Sequence, residues 1–93
     1  MNFGQALEAL KLGSRVQRAG WNGKGMWLAL TPGSTIAASE ARSGAALAKA
    51  THEPSDTIVI GAHIDMRAAD GTVVIGWLAS QTDMLAEDWS ILL

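Results

Sequence analysis

The sequence predicts an α+β domain in which an N-terminal helix packs on an antiparallel sheet of four or five strands, with a short helix before the last strand. Three observations predict it. Residues 3 to 12 carry apolar side chains at helical spacing behind a capping residue. Two stretches of strand-like residues turn back at Asn22-Gly23 and Asp70-Gly71, and a capping signal at Ser80 precedes a closing apolar strand. At 93 residues the chain has room for one core, so residues 1–93 are read as a single domain.

Asn2 is the expected N-cap, and Gln5 three residues later completes a capping box. Phe3, Ala6, Leu7 and Leu10 follow at helical spacing until Gly13 offers a left-handed stop. From Ser14 the pattern changes to Arg15-Val16-Gln17-Arg18, and Gly20, Gly23, Gly25 and the Asn-Gly pair then punctuate a hairpin-like loop. Its return strand is Met26 to Thr31, with Met26, Leu28 and Leu30 on one face, ending at Pro32-Gly33. Residues 34–55 leave the pattern undecided. The runs Ile36 to Arg42 and Ala45 to Ala50 have helical composition, but alanine-rich segments this short are marginal helices without packing.

A strand is expected over Thr57 to Arg67, where Ala62, Ile64 and Met66 alternate with His63, Asp65 and Arg67. That alternation puts the second set on a polar outer face. Asp70-Gly71 is a tight hairpin signal, and Thr72 to Ala79 reads as the return strand. Ser80 and Asp83 resemble a capping box with Asp in place of Glu, which starts a helix over Gln81 to Ala86. Trp89 to Leu93 closes the chain as a strand.

Composition narrows the function. With 48% hydrophobic and 17% charged residues this is neither a disordered tail nor a coiled coil. The absence of cysteine removes disulfides, thiolate nucleophiles and Cys-built metal sites. A net charge of −2 argues against long nucleic acid as a partner, because such binders need a basic face to displace counterions. No apolar stretch approaches the roughly 18 residues of a membrane span, and the N-terminus lacks a basic region before an apolar block. A cytoplasmic protein without a membrane partner is therefore expected.

An enzyme would have to draw on His52, His63, Asp65, Asp70, Asp83, Glu87 or Asp88 with the serines, and none falls in a recognised catalytic spacing. No catalytic residue, metal or cofactor is expected. His63 and Asp65 share one strand face, but two ligands without a third rarely make a metal site, and the outer-face reading is preferred. His52 is read as a solvated loop residue.

Two segments suit ligand binding better. The loop Gly20 to Gly25 offers backbone N–H groups, and Lys24, Arg18 and Arg15 would bring charge to the same end of the hairpin. It lacks the spacing of a nucleotide-hydrolysing loop, and a plain hairpin turn explains it equally well. Of the four tryptophans, Trp89 reads as core, whereas Trp21 lies among Gly20, Asn22 and Gly23 with no apolar neighbours. That placement suits stacking on a planar base, with Asn22 and the loop amides orienting a ribose or phosphate. Ser80-Gln81-Thr82-Asp83 can hold an anion or a ribose at a helix start, or can simply cap the helix.

Asn2-Phe3-Gly4-Gln5-Ala6-Leu7-Glu8-Ala9-Leu10, the Arg18-x-Gly20-Trp21-Asn22-Gly23-Lys24-Gly25-Met26 loop and the run from Asp70-Gly71-Thr72 through Gly76-Trp77-Leu78-Ala79-Ser80-Gln81-Thr82-Asp83 to Asp88-Trp89 together resemble the second Thoeris anti-defence family of bacteriophages. The resemblance covers about half the chain, at its two ends, and leaves residues 34–55 without a family pattern. It implies a sponge. Such proteins bind cyclic ADP-ribose isomers, glycocyclic ADP-ribose among them, made by bacterial TIR proteins, and hold them unhydrolysed to block Thoeris immunity. Some also take up cyclic oligonucleotide signals. The resemblance further implies a homo-oligomer, typically a tetramer, with pockets at subunit interfaces. The ligand-binding set expected from these readings together is Arg18, Trp21, Asn22, Gly23, Lys24, Trp77, Ser80, Gln81, Thr82 and Asp83, with the last four expected to line the pocket from a partner subunit. The alternative is a small structural or interaction domain of a phage or prophage, its tryptophans all core and without a ligand.

Overall fold

The computed structural model describes residues 1–21, 24–49 and 53–93. Asn2 caps helix α1, Phe3–Lys11, through the expected box: its side chain accepts from Gln5 N while Gln5 Oε1 accepts from Asn2 N, both at 2.9 Å. Gly13, at φ +92°, turns the chain out of the helix. Among the described residues seven strands follow: β1 Arg15–Arg18, β2 Trp27–Thr31, β3 Ser34–Ala37, β4 Thr57–Ile60, β5 His63–Arg67, β6 Val73–Val74 and β7 Trp89–Leu92. The short helix α2, Gln81–Leu85, stands before the last strand. The architecture is α+β, as expected.

Five strands form one antiparallel sheet in the order β6-β5-β2-β1-β7. Helix α1 packs on it with Ala6, Ala9 and Leu10 against Val16, Leu28 and Trp89, and Phe3, Leu7, Leu30, Ile64, Met66 and Trp77 surround that cluster. Alanine at positions 6 and 9 lets the helix backbone approach the sheet, while Leu10 fills the space between them. The chain falls into two compact units, residues 1–31 with 63–93 and residues 32–62. In the second, β3 and β4 form a two-stranded ribbon with Ile36 opposite Ile58.

Three expectations about the strands are corrected. The run over residues 57–67 is two strands in two sheets, broken at Gly61-Ala62, because β4 pairs with β3 whereas β5 pairs with β2. Asp65 keeps the face that the alternation gives it, turned away from α1, but it is buried there. It is 7% exposed, its carboxylate accepting from Thr31 Oγ1 and from Gly76 N at 2.9 Å, with His63 Nε2 3.4 Å away. The return strand over residues 72–79 shrinks to Val73–Val74, because Gly76 at φ +83° leaves the ladder.

Over residues 34–49, where the sequence leaves the pattern undecided, the backbone is one strand and two short turns. Thr35 and Ile36, both β-branched, lie in β3, and the alanines supply only 3₁₀ turns at Ala38–Glu40 and Ala46–Lys49. Among the described residues no helix is long and apolar enough to cross a membrane.

Candidate functional site

The two segments singled out for binding meet within one chain. Arg18, the last residue of β1, donates through Nε to Asp88 Oδ1 and through Nη1 to Asp83 Oδ1, both at 2.8 Å. Trp21 Nε1 donates to the same Asp83 oxygen at 3.1 Å. Asp83 Oδ2 accepts from Ser80 Oγ at 2.9 Å, and Ser80 Oγ accepts from Asp83 N at 3.0 Å, which closes the capping box of α2. Gly20 N–H donates to Asp88 Oδ2 at 2.7 Å. Position 20 has no room for a side chain, since a Cβ there would lie 2.8 Å from that oxygen.

Behind this polar layer stands an aromatic one. Trp21 meets Trp89 edge to face with ring centroids 5.4 Å apart, Trp77 meets it likewise at 6.3 Å, and Phe3 lies 5.6 Å from it. Trp89 is the buried hub, and its Nε1 donates to the Asp83 carbonyl at 2.9 Å. The expectation that Trp89 is core holds. The premise that Trp21 has no apolar neighbours does not. A long-range contact with Trp89 supplies what its glycine-rich flanks lack, and Trp21 is half-buried with its indole N–H engaged.

The electrostatics are those of a closed ion network. Burial pushes the Asp83 carboxyl up, yet hydrogen bonds from Arg18, Trp21 and Ser80 outweigh it and hold the group below the usual carboxylate range. The Arg18 guanidinium, helped by the Gly20 N–H, does the same for Asp88. In turn Arg18, bonded first to Asp88 and then to Asp83, is held more firmly protonated than a free arginine. Two carboxylates on one guanidinium leave the cluster with a net charge of −1, and the Arg18 guanidinium is paired within the chain.

The cations expected to gather at the loop are spread out. Arg15 and Arg18 lie on opposite faces of β1, and Arg15 sits over Trp27 with its guanidinium carbon 5.5 Å from the ring centroid. Lys24 lies exposed in the turn. Gln81 and Thr82 are exposed at the start of α2, and Trp77 is half-buried against Phe3 and Trp89. Ser80 is committed to its cap. Asn22, Gly23 and His52 lie outside the described residues. Among the described residues no group of three His, Asp or Glu side chains is placed to hold a metal.

Sequence reasoning missed Asp88, which it weighed only as a catalyst, and Gly20 and Phe3 as parts of this cluster. The sequence signal for Asp88 is its place next to a core tryptophan at the start of β7, which fixes its side chain beside the end of β1, where Arg18 pairs with Trp89.

Over residues 1–92 the chain matches a family model described as a Thoeris anti-defense 2-like domain. A curated relative, Thoeris anti-defense 2 of Bacillus phage SP01, is 43% identical over 91 residues, covering 98% of this chain and 93% of the relative.

Proposed function

The chain belongs to the Thoeris anti-defense 2-like family, and we propose that it is a phage- or prophage-encoded inhibitor of Thoeris immunity that sequesters a cyclic ADP-ribose isomer without hydrolysing it. The observation that carries this reading is the family match across residues 1–92, together with a relative of similar length that bears the anti-defense name. It acts in the host cytoplasm, on a soluble signal.

The geometry supports a binder. The half-buried ring of Trp21 presents a planar surface held in place by Trp89 and Asp83, which limits the ordering cost of stacking a base on it. Lys24, three residues after Trp21 in the chain, and Gln81 and Thr82, next to Asp83, are exposed and carry donors for phosphate and ribose. Asp83 and Asp88 are held ionised and engaged by Arg18, which suits a rigid frame and leaves neither poised for proton transfer.

The test is to incubate the protein with glycocyclic ADP-ribose, remove unbound nucleotide, denature by heat and identify what is released by mass spectrometry. Intact ligand is the expected result. A cleaved product would make the protein an enzyme, and no uptake would leave the structural reading, which the internally satisfied Arg18 network also accommodates.

The protein is further proposed to assemble as a homotetramer. Leu12 and Leu78, at 86% and 92% exposed, together with Ile75 and Leu85, are apolar side chains that subunit contacts would take out of water. Light scattering at micromolar concentration should report about four times the 9.7 kDa chain mass, and a monomer would refute the assembly.

A further inference from the structure

Asp65 stands in the middle of β5, opposite Ala29, on the sheet face turned away from α1. Its register neighbours explain what it does. Met66 pairs with Val74, so regular alternation would place Gly76 opposite Ile64 and send Trp77 to the same face as Asp65. The chain does otherwise. Trp77 N–H donates to Ile64 O at 2.7 Å, taking the ladder position that Gly76 would have filled. Gly76, at φ +83°, is the extra residue of a β-bulge, and its displaced N–H is received by Asp65 Oδ1 at 2.9 Å.

One inserted residue reverses the facing of everything after it. Because of it Trp77 packs on Phe3 and Trp89, on the α1 side of the sheet, and Ser80 arrives where Asp83 can meet Arg18 and Trp21. Asp65 itself is fixed from β2 by Thr31 Oγ1 and from its own strand by His63, 3.4 Å away.

We propose that Asp65 is a positioning residue of the binding site: by holding the Gly76 N–H it locks the bulge that turns Trp77 and the Ser80–Asp83 segment toward Arg18 and Trp21. The inference rests on the proposed binding function for its effect on ligand, but its structural half is independent of it.

The experiment compares wild type with Asp65→Ala, which removes the acceptor of the Gly76 N–H, with the milder Thr31→Val, which leaves the carboxylate but removes one of its donors, and with Val16→Ala. The last weakens the core in β1, which β2 and β5 separate from β6 in the sheet. Amide hydrogen exchange at Gly76 and Trp77, the Trp77 indole resonance and calorimetric affinity for glycocyclic ADP-ribose are read for each. Asp65→Ala should speed exchange at Gly76 and Trp77 relative to β5, shift the Trp77 indole and weaken binding at least tenfold. Thr31→Val should do the same to a smaller degree. Val16→Ala should lower the melting temperature without faster exchange confined to Gly76 and Trp77. Unchanged exchange and indole shift in Asp65→Ala, or affinity losses in all three variants that simply follow their stability, would overturn the proposal. If Asp65→Ala does not fold, Thr31→Val decides on the same readouts. If wild type binds no nucleotide, the functional reading fails while the exchange data still decide the bulge.

Discussion

Asp83 takes hydrogen bonds from Arg18, Trp21 and Ser80, three donors drawn from three stretches of chain. Asp83→Ala removes all of them and leaves the Arg18 guanidinium, only 13% exposed, with Asp88 as its one carboxylate. Stability should drop by about 3 kcal/mol, the lower end for breaking a buried ion pair, which for a chain this size lowers the melting temperature by more than about 10 °C. A melting temperature within a few degrees of wild type would show that Arg18 and Trp21 re-pair without it. Trp21→Phe separates two roles of the indole: it keeps an aromatic face beside Trp89 but loses the bond to Asp83. It should cost about 1 kcal/mol of stability and retain most of the ligand affinity, whereas Trp21→Ala should weaken binding by about 1–3 kcal/mol, readable by calorimetry. The Ser80–Asp83 cap was legible because its partners are three residues apart. The Arg18–Asp83 bond was not, since 65 residues separate them and only the β1–β7 pairing brings them together.

Elements whose signals are local were legible, and elements defined by their neighbours were not. The capping box of α1, the turn at Asp70-Gly71 and the cap of α2 depend on residues within a few positions, and each forms where the pattern puts it. The break at Gly61-Ala62 and the shortening of β6 depend instead on which strand lies alongside. β-branched runs carry no mark of a change of sheet or of a bulge beyond a glycine. Glycines within elements give a matched pair of tests. In α1, Gly4→Ala places a Cβ 3.4 Å from Asn2 Oδ1, an ordinary contact, and should stabilise the chain by about 0.5–1 kcal/mol through helix propensity. After β1, Gly20→Ala drives a Cβ to 2.8 Å from Asp88 Oδ2 and 3.0 Å from Arg18 Nη2, and should destabilise it by about 1–3 kcal/mol. Thermal melting reads both. Shifts of the same sign would mean that the Arg18–Asp88 contact yields to the added methyl.

At the scale of the molecule, the six buried apolar residues of the α1 cluster all belong to the unit of residues 1–31 and 63–93. What length and a net charge of −2 do not reveal is that the stability of this unit is tied to ionised carboxylates. Asp65 is resisted by burial but held below its ordinary range by Thr31, Gly76 and His63. Asp83 is likewise resisted by burial and held down by Arg18, Trp21 and Ser80, and Asp88 is held down chiefly by Arg18. A depressed folded pKa stabilises the folded state fully above the unfolded carboxylate value of about 3.9, and this contribution is lost as pH falls through the folded value. The melting temperature should therefore be nearly constant between about pH 7 and pH 5 and fall steeply below about pH 4, as the unfolded chain takes up protons that the folded one refuses. Asp83→Asn should lie lower than wild type at neutral pH yet lose less on acidification, because one of the groups that drives the loss is gone, and Asp65→Asn should behave the same way. The two curves would then approach that of wild type as the pH falls through the folded values of these carboxyls. Parallel curves, with each variant displaced equally at pH 7 and pH 3, would mean that these carboxylates contribute packing alone and that acid unfolding is driven from elsewhere in the chain.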